Sequence, residues 1–184
     1  MDLRCDRSLQ PSRRQWVFQS TAAACAFAFA PTLSAAASED GILRTAESIH
    51  HELTLNASAT RIYNALTDSA QFQKMELLSA AMQSMDVKSH PATIQREPGG
   101  SFSLFGNYVV GRQLELLTDR RIVQAWRASS WSPGIYSIAR FELEEHGSAT
   151  KLIFDHTGFP IGDAEHLAAG WYANYWEPLR KFLA

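Results

Sequence analysis

Residues 163–183 read DAEHLAAGWYANYWEPLRKFL, and this stretch decides the fold. Large apolar side chains recur in it at helical spacing and give one strongly aromatic face: Leu167, Trp171, Tyr175, Leu179 and Phe182. The stretch therefore predicts a long C-terminal helix with one side to bury against another element.

Three residues affect how this helix begins, packs and bends. Asp163 is a suitable N-cap residue, and Gly170 allows close approach to whatever lies beneath the helix. Pro178 lies inside the predicted helix, where its missing N–H and its ring bend or weaken one turn. We therefore expect one helix with an irregularity near residue 178.

The chain before this helix alternates between polar and apolar residues. Short separators rich in Gly, Asp, Ser and Pro interrupt the alternation at hairpin-like spacing, which is typical of an antiparallel meander. The predicted strands are 101–105, 109–117, 121–126, 135–143 and 150–157.

Upstream of the meander, the pattern predicts a strand at 49–55 and a short helix at 60–67, with a helix N-cap at 56–58. Residues 68–85 indicate a second, broken helical stretch. An antiparallel sheet needs one face covered, and the last helix is the only long apolar element available. The fold class is therefore α+β, with a curved antiparallel sheet wrapped round the C-terminal helix and space for a ligand between them.

Residues 1–37 have the order of a cleavable export signal. A segment with four arginines precedes the uncharged stretch 16–31, and small residues at Ala35 and Ala37 suit cleavage near Ala37. The uncharged stretch is shorter than the roughly 20 apolar residues that a membrane span needs. Residues 38–48 are polar and predict a flexible lead-in to one domain at 49–184.

The segment SRRQWV at 12–17 matches the arrangement of a twin-arginine signal. A general secretory signal with a basic start is the alternative, and a lipoprotein signal would modify Cys25. All of these routes predict a bacterial protein located in the periplasm or secreted.

Composition narrows the function classes. Removal of 1–37 leaves 13 basic and 17 acidic residues, a net charge of −4, so nucleic acid and stable membrane insertion are not expected. Both cysteines, Cys5 and Cys25, lie in the signal, which leaves the mature domain without a disulfide or a thiolate metal site. The histidines show no metal-binding spacing, so no metal is expected. The sequence has no Gly-rich phosphate loop, and no cofactor is expected either.

Strand parity places alternate residues of each strand on one face of the sheet, and the aromatic helix face lies opposite. Arg112, Leu114 and Leu116 are assigned together to the inner face of their strand. The residues predicted to contact a ligand are Arg112, Gln124, Trp126, Phe141, Phe154, His156, Trp171 and Tyr175.

Each polar candidate has a second interpretation. His156 is either an acid, base or anchor for a ligand oxygen, or a structural histidine bonded to a carbonyl or to the final helix, which we favour. Arg112 either binds a ligand carboxylate or pairs with Glu142 or Glu115. The aromatic residues serve as a ligand lining or as core packing. No catalytic residue is assigned.

Several short motifs resemble one known family: EPGGSF at 97–102, Gly111, DRRIVQAWR at 119–127, SWSPG at 130–134, and HTGFP at 156–160 followed by Gly170-Trp171. In this order they are similar to the domain of activators of the heat-shock protein 90 ATPase, within the START-like (SRPBCC, Bet v 1-like) helix-grip superfamily. The resemblance covers 49–184 and implies about seven strands round a C-terminal helix.

The resemblance implies less about activity, because superfamily members include lipid carriers, hormone receptors, cyclases and co-chaperones. Three functions follow: binding of a small hydrophobic molecule, catalysis of a cyclase or hydrolase type in the cavity, and a chaperone-assisting or protein-interaction role. Binding without catalysis is favoured. An exported protein would not meet cytosolic heat-shock protein 90.

Overall fold

The computed structural model describes residues 47–83, 87 and 89–184. The predicted signal at 1–37 lies outside the described residues, as does the lead-in at 38–48 except for its last two residues. The export signal and its cleavage near Ala37 therefore stay predictions.

Within the described residues, seven strands and several helices follow one another, and the strand at 93–94 adds to the six that the pattern predicts. The first strand and the helices after it are β1 (Ser48–Leu55), α1 (Ala59–Thr67), α2 (Ser69–Glu76) and α3 (Ala80–Gln83). The remaining strands are β2 (Thr93–Ile94), β3 (Ser101–Leu104), β4 (Val109–Leu117), β5 (Arg121–Ala128), β6 (Ser137–His146) and β7 (Ala149–Thr157). The C-terminal helix comprises α4 (Ala164–Trp171), a π-helical turn (Tyr172–Trp176) and α5 (Glu177–Leu183).

The strands form one antiparallel sheet in the order β1-β7-β6-β5-β4-β3-β2. Strands β2 to β7 are a meander in which every strand pairs with its neighbour in sequence. β1 joins the far edge by pairing with β7 along its whole length, from Ser48 opposite Thr157 to Leu55 opposite Thr150. This architecture confirms the predicted α+β helix-grip fold.

The inner face of the sheet packs against the C-terminal helix. Ile122 and Trp126 on β5, Phe141 on β6, and Leu152 and Phe154 on β7 are all buried. The helix buries Leu167, Trp171, Tyr175, Trp176 and Leu179 against this face. Burial of each large side chain is worth roughly 1.5–3 kcal/mol, so this contact contributes substantially to the stability of the domain.

The expected irregularity in the helix is a π-helical turn. The Glu177 N–H bonds the Tyr172 carbonyl, five residues back. The Pro178 ring would collide with the Asn174 carbonyl in a regular α-helix, and the wider turn relieves that clash. The extra residue in the turn also brings both Tyr175 and Trp176 onto the buried side of the helix, while Tyr172 remains exposed.

The prediction that Arg112 faces the cavity is wrong. The register of β4 against β5 shifts between Gln113 and Glu115, where a β-bulge inserts one residue. Leu116 therefore faces inward opposite Ile122. The inserted residue reverses the inward–outward alternation for the residues that precede the bulge. Arg112 and Leu114 lie on the outer face of the sheet, and Gln113 takes the buried position.

Arg112 also lacks the carboxylate partner that the sequence offered. Its guanidinium donates to the Gly99 carbonyl at 2.8 Å. Glu142 and Glu115 pair with Arg121 instead, and Glu142 also with Arg140. Within the described part of the chain, no helix is both long and apolar enough to cross a membrane.

Candidate ligand-binding site

A cavity of about 260 Å³ lies between the C-terminal helix and the β3–β4 end of the sheet. Its walls are mostly aromatic and aliphatic, and its rim includes exposed atoms of Tyr108 and His166. The lining residues are Met82, Phe105, Tyr108, Val109, Trp126, His166, Leu167, Gly170, Trp171, Asn174 and Tyr175.

The loop between β3 and β4 forms one wall of the cavity. Phe105, Gly106 and Asn107 all have left-handed backbone angles, with φ of 52°, 64° and 71°. This tight turn places the Phe105 ring 5.0 Å from the Tyr175 ring and 5.5 Å from the Phe72 ring. A non-glycine residue in this conformation is strained, so the surrounding contacts must hold Phe105 in place.

Glu76, at the end of α2, provides one of those contacts. Its Oε2 accepts a hydrogen bond from the Phe105 N–H at 3.0 Å, and the residue is fully buried. Its Oε1 is buried and finds no hydrogen-bond partner among the residues that the structure describes. Burial raises the Glu76 pKa from 4.5 to about 7, although the Phe105 hydrogen bond opposes the shift.

Gly170 opens the cavity on the helix side. A Cβ built at this position meets no atom of the described residues within 4 Å. The predicted close approach beneath Gly170 is therefore wrong, because the missing side chain leaves space rather than a contact. Gly170 and Asn174 lie one helical turn apart and both border this space.

His156 lies deeper, in the core beside Trp171. The Trp171 indole N–H donates to His156 Nδ1 at 3.0 Å, and His156 Nε2 lies 2.7 Å from Ser137 Oγ. An indole nitrogen only donates, so Nδ1 accepts and the ring proton lies on Nε2. Ser137 in turn donates to the Trp126 carbonyl at 3.0 Å.

Both His156 nitrogens are therefore occupied by the protein. Burial lowers the His156 pKa to about 3, so the ring is neutral at physiological pH. The structural interpretation, a histidine bonded to the final helix, describes this geometry. A second bond of the same kind joins the helix to β1, where the Trp176 indole donates to His51 Nδ1 at 2.9 Å.

Trp126 Nε1 and the Tyr175 hydroxyl lie beside each other next to the cavity, and both are buried. Neither makes a hydrogen bond of regular geometry within the described residues. Burial raises the Tyr175 pKa; the Trp126 N–H, acting as a donor to the phenol oxygen, opposes this rise, and the charge of Glu76 adds to it. The indole N–H, the phenol and the Glu76 carboxyl are thus close neighbours.

The predicted contact residues fall into three groups. Trp126, Trp171 and Tyr175 line the cavity. Phe141, Phe154, His156 and Gln124 are buried outside its lining, with Gln124 Nε2 3.3 Å from Gln113 Oε1. Arg112 lies on the other side of the sheet.

Asp163 is also used differently from the prediction. Its side chain makes no capping bond. Instead, Asp163 Oδ2 accepts the Trp131 indole N–H at 2.9 Å, and the Trp131 ring lies 5.4 Å from the Trp126 ring. The SWSPG loop is thereby fixed to the start of the C-terminal helix.

Sequence reasoning missed the cavity wall that comes from α3 and the β3–β4 loop. Met82, Phe105 and Tyr108 are far in sequence from the helix they face, and no periodicity links them. Phe105-Gly106-Asn107 did carry a turn signal, since Gly and Asn favour left-handed angles. In the described ranges, no three His, Cys, Asp or Glu residues are grouped so that they could hold a metal ion.

The seven-stranded curved sheet, the long C-terminal helix and the cavity between them define a START-like helix-grip domain. The sequence profile described as Activator of Hsp90 ATPase homolog 1-like protein matches residues 56–184. The chain therefore belongs to this family, as the sequence motifs suggested.

Individual relatives also match the chain. An uncharacterized protein of Schizosaccharomyces pombe is 32% identical over 154 residues, which are 81% of this chain and 42% of that protein. Activator of 90 kDa heat shock protein ATPase homolog 2 of Mus musculus is 28% identical over 93 residues, which are 50% of this chain and 28% of that protein. The chain thus spans less than half the length of these relatives.

Solved structures share the fold. An HSP90 activator from Plasmodium falciparum superposes with a TM-score of 0.65 at 22% identity, covering 74% of this chain and 95% of that one. CalU16 from Micromonospora echinospora gives a TM-score of 0.60 at 20% identity, with 76% and 77% covered. At such identities the likeness concerns the fold alone.

Proposed function

We propose that this protein binds a small, largely apolar molecule in the cavity between its sheet and its C-terminal helix. The observation that carries this proposal is the cavity of about 260 Å³, walled by Phe105, Trp126, Trp171 and Tyr175. Concave, mainly apolar sites with a few polar groups are the usual form of small-molecule sites.

The cavity volume sets the size of the ligand. An engineered apolar cavity of about 150 Å³ accepts a single benzene ring. A space of about 260 Å³ suits a molecule of roughly two rings. The rim at Tyr108 and His166 provides a route from solvent.

The cavity-enzyme hypothesis depended on two polar residues in the cavity, and neither is available there. His156 is neutral and bonded at both nitrogens, and Arg112 faces away from the cavity. Binding without catalysis therefore agrees better with the geometry.

Gly170→Leu tests the binding site. The new side chain should fill the cavity without a backbone clash, because a Cβ at this position meets open space. Molecules that co-purify with the wild type and shift its tryptophan emission should be lost from the variant. Mass spectrometry of the extracted protein measures the co-purified molecules, and fluorescence titration measures the change in tryptophan emission.

Ala169→Leu is the matched control, since Ala169 is its exposed neighbour and does not line the cavity. Equal ligand content in Gly170→Leu, Ala169→Leu and the wild type would contradict the proposal. A wild type that carries and binds no small molecule would contradict it as well.

We also propose that the mature domain acts in the bacterial periplasm. The supporting features are the basic start, the uncharged stretch 16–31 and the small residues before 38. The ligand would then be a molecule that reaches the periplasm.

A protein partner is the second candidate function. The family match and the heat shock protein ATPase activators among the relatives favour it. Capture experiments with the mature protein on periplasmic extract test this candidate. Loss of a captured partner in the Gly170→Leu variant would show that the two functions share one surface.

A further inference from the structure

The cavity wall is uncharged. Among the lining residues that the structure describes, none is Asp, Glu, Lys or Arg, and His166 lies at the exposed rim. An ionised ligand would lose its hydration without gaining an opposite charge, which is strongly unfavourable. The wall therefore selects for an uncharged molecule.

A hydrogen-bond donor lies just beneath this wall. The Tyr175 hydroxyl is buried beside Trp126 Nε1, and the Trp126 N–H interacts with the phenol oxygen. Because the indole nitrogen only donates, the phenol proton is left without an acceptor among the described residues. Leaving a buried donor unpaired is unfavourable, and an acceptor atom of a ligand that pairs with it removes this cost.

The carboxyl group of Glu76 also favours a neutral acceptor on the ligand. Burial, together with the charge of Glu76, raises the Tyr175 pKa, so the phenol keeps its proton and donates. An anionic ligand group at this point would be repelled by Glu76 whenever that carboxyl is ionised. A neutral oxygen acceptor avoids this repulsion.

We infer that the ligand is an uncharged molecule of about two rings with a carbonyl-type oxygen, which accepts a hydrogen bond from the Tyr175 hydroxyl. This inference rests on the proposed binding function and names its ligand class. Tyr175 lines the cavity, but its hydroxyl is buried behind the wall, so the inference requires the ring to shift toward the ligand on binding. Ketones and quinones have the required chemistry.

Three probes with one ring skeleton test the inference on the mature protein: tetralin, 1-tetralone and tetralin-1-carboxylate. Calorimetric titration should show 1-tetralone binding about tenfold more tightly than tetralin, which corresponds to about one net hydrogen bond. The carboxylate should bind most weakly.

Tyr175→Phe should reduce the affinity for 1-tetralone about three- to tenfold and leave the affinity for tetralin unchanged. Tyr172→Phe is the matched control, because Tyr172 is an exposed tyrosine on the same helix. It should leave all three affinities unchanged.

The outcomes separate the two proposals. Equal binding of tetralin and 1-tetralone, or equal effects of the two tyrosine variants, would overturn the oxygen subsite and leave cavity binding intact. Strongest binding of the carboxylate would overturn the uncharged ligand class. Failure of all three probes to bind would overturn both the inference and the cavity function.

Discussion

His156 and Glu76 are buried ionisable groups. The pKa of His156 is lowered and that of Glu76 is raised, so the two residues make the stability of the domain depend on pH in opposite directions. The folded-state pKa of His156 is about 3, below its ordinary 6.5, so its contribution is complete above pH 6.5 and is lost as the pH falls toward 3. The folded-state pKa of Glu76 is about 7, above its ordinary 4.5. Its contribution is complete below pH 4.5 and is lost as the pH rises through 7.

Glu76→Gln should therefore stabilise the domain more at pH 8 than at pH 5. A carboxyl pKa raised from 4.5 to about 7 corresponds to roughly 3 kcal/mol, and a glutamine avoids this cost while its amide oxygen still accepts the Phe105 N–H. Urea unfolding at the two pH values measures the difference in the free energy of unfolding.

Glu145→Gln, an exposed substitution at the end of β6, is the control for the loss of one carboxyl group at the surface. If Glu76→Gln changes the stability equally at pH 5 and pH 8, the Glu76 carboxyl does not titrate in this range.

At the scale of the elements, two glycines have opposite roles. A Cβ on Gly111 in β4 would lie 2.1 Å from the Ala125 carbonyl oxygen and 2.3 Å from Cζ of Phe102. The packing around Gly111 therefore leaves no room for a side chain. Gly170 in α4 faces open space instead.

Gly111→Ala should accordingly destabilise the domain by about 3 kcal/mol or more, because a backbone oxygen cannot move aside. Gly170→Ala, the matched substitution, should stabilise it by up to about 1 kcal/mol through helix propensity. Thermal and urea unfolding of both variants compare the two effects. Similar stabilities for the two alanine variants would contradict the packing around Gly111.

The bulge in β4 and the π-helical turn each change which side chains reach the inner face. The bulge turns Arg112 outward and Gln113 inward. The π-helical turn brings Trp176 to the sheet beside Tyr175, where its indole bonds His51. Both irregularities insert a residue into a regular repeat, which strict counting along the sequence does not detect.

At the scale of the whole molecule, the proposed export can be tested through the predicted signal at 1–37. Replacement of Arg13 and Arg14 by lysines should stop export if the route is the twin-arginine one, and should leave a general secretory signal active, since that signal needs only positive charge. Cell fractionation and mass spectrometry of the mature N-terminus measure the outcome. A full-length protein that stays in the cytoplasm without cleavage would contradict export by either route.

The helix-grip arrangement follows from contacts along the whole C-terminal helix. Trp171 and Trp176 donate to histidines on β7 and β1, two strands that lie side by side in the sheet. Trp131 donates to Asp163 and fixes the start of the helix. These indole bonds combine burial of a large ring with a satisfied N–H.

The sequence alone determined the order of the elements, the aromatic face of the last helix, the inner faces of β5, β6 and β7, and the family. Those features are local, because alternation and helical spacing act over a few residues. Trp126, Trp171 and Tyr175 were placed at the cavity for the same reason.

Only the tertiary structure decided where the cavity lies, that Arg112 faces outward, and that Glu76 is buried beside Tyr175. Each of these depends on contacts between segments distant in sequence, or on one inserted residue that reverses parity. The physical reason is that burial and hydrogen bonding are set by packing across elements, and neither periodicity nor residue type specifies which elements meet.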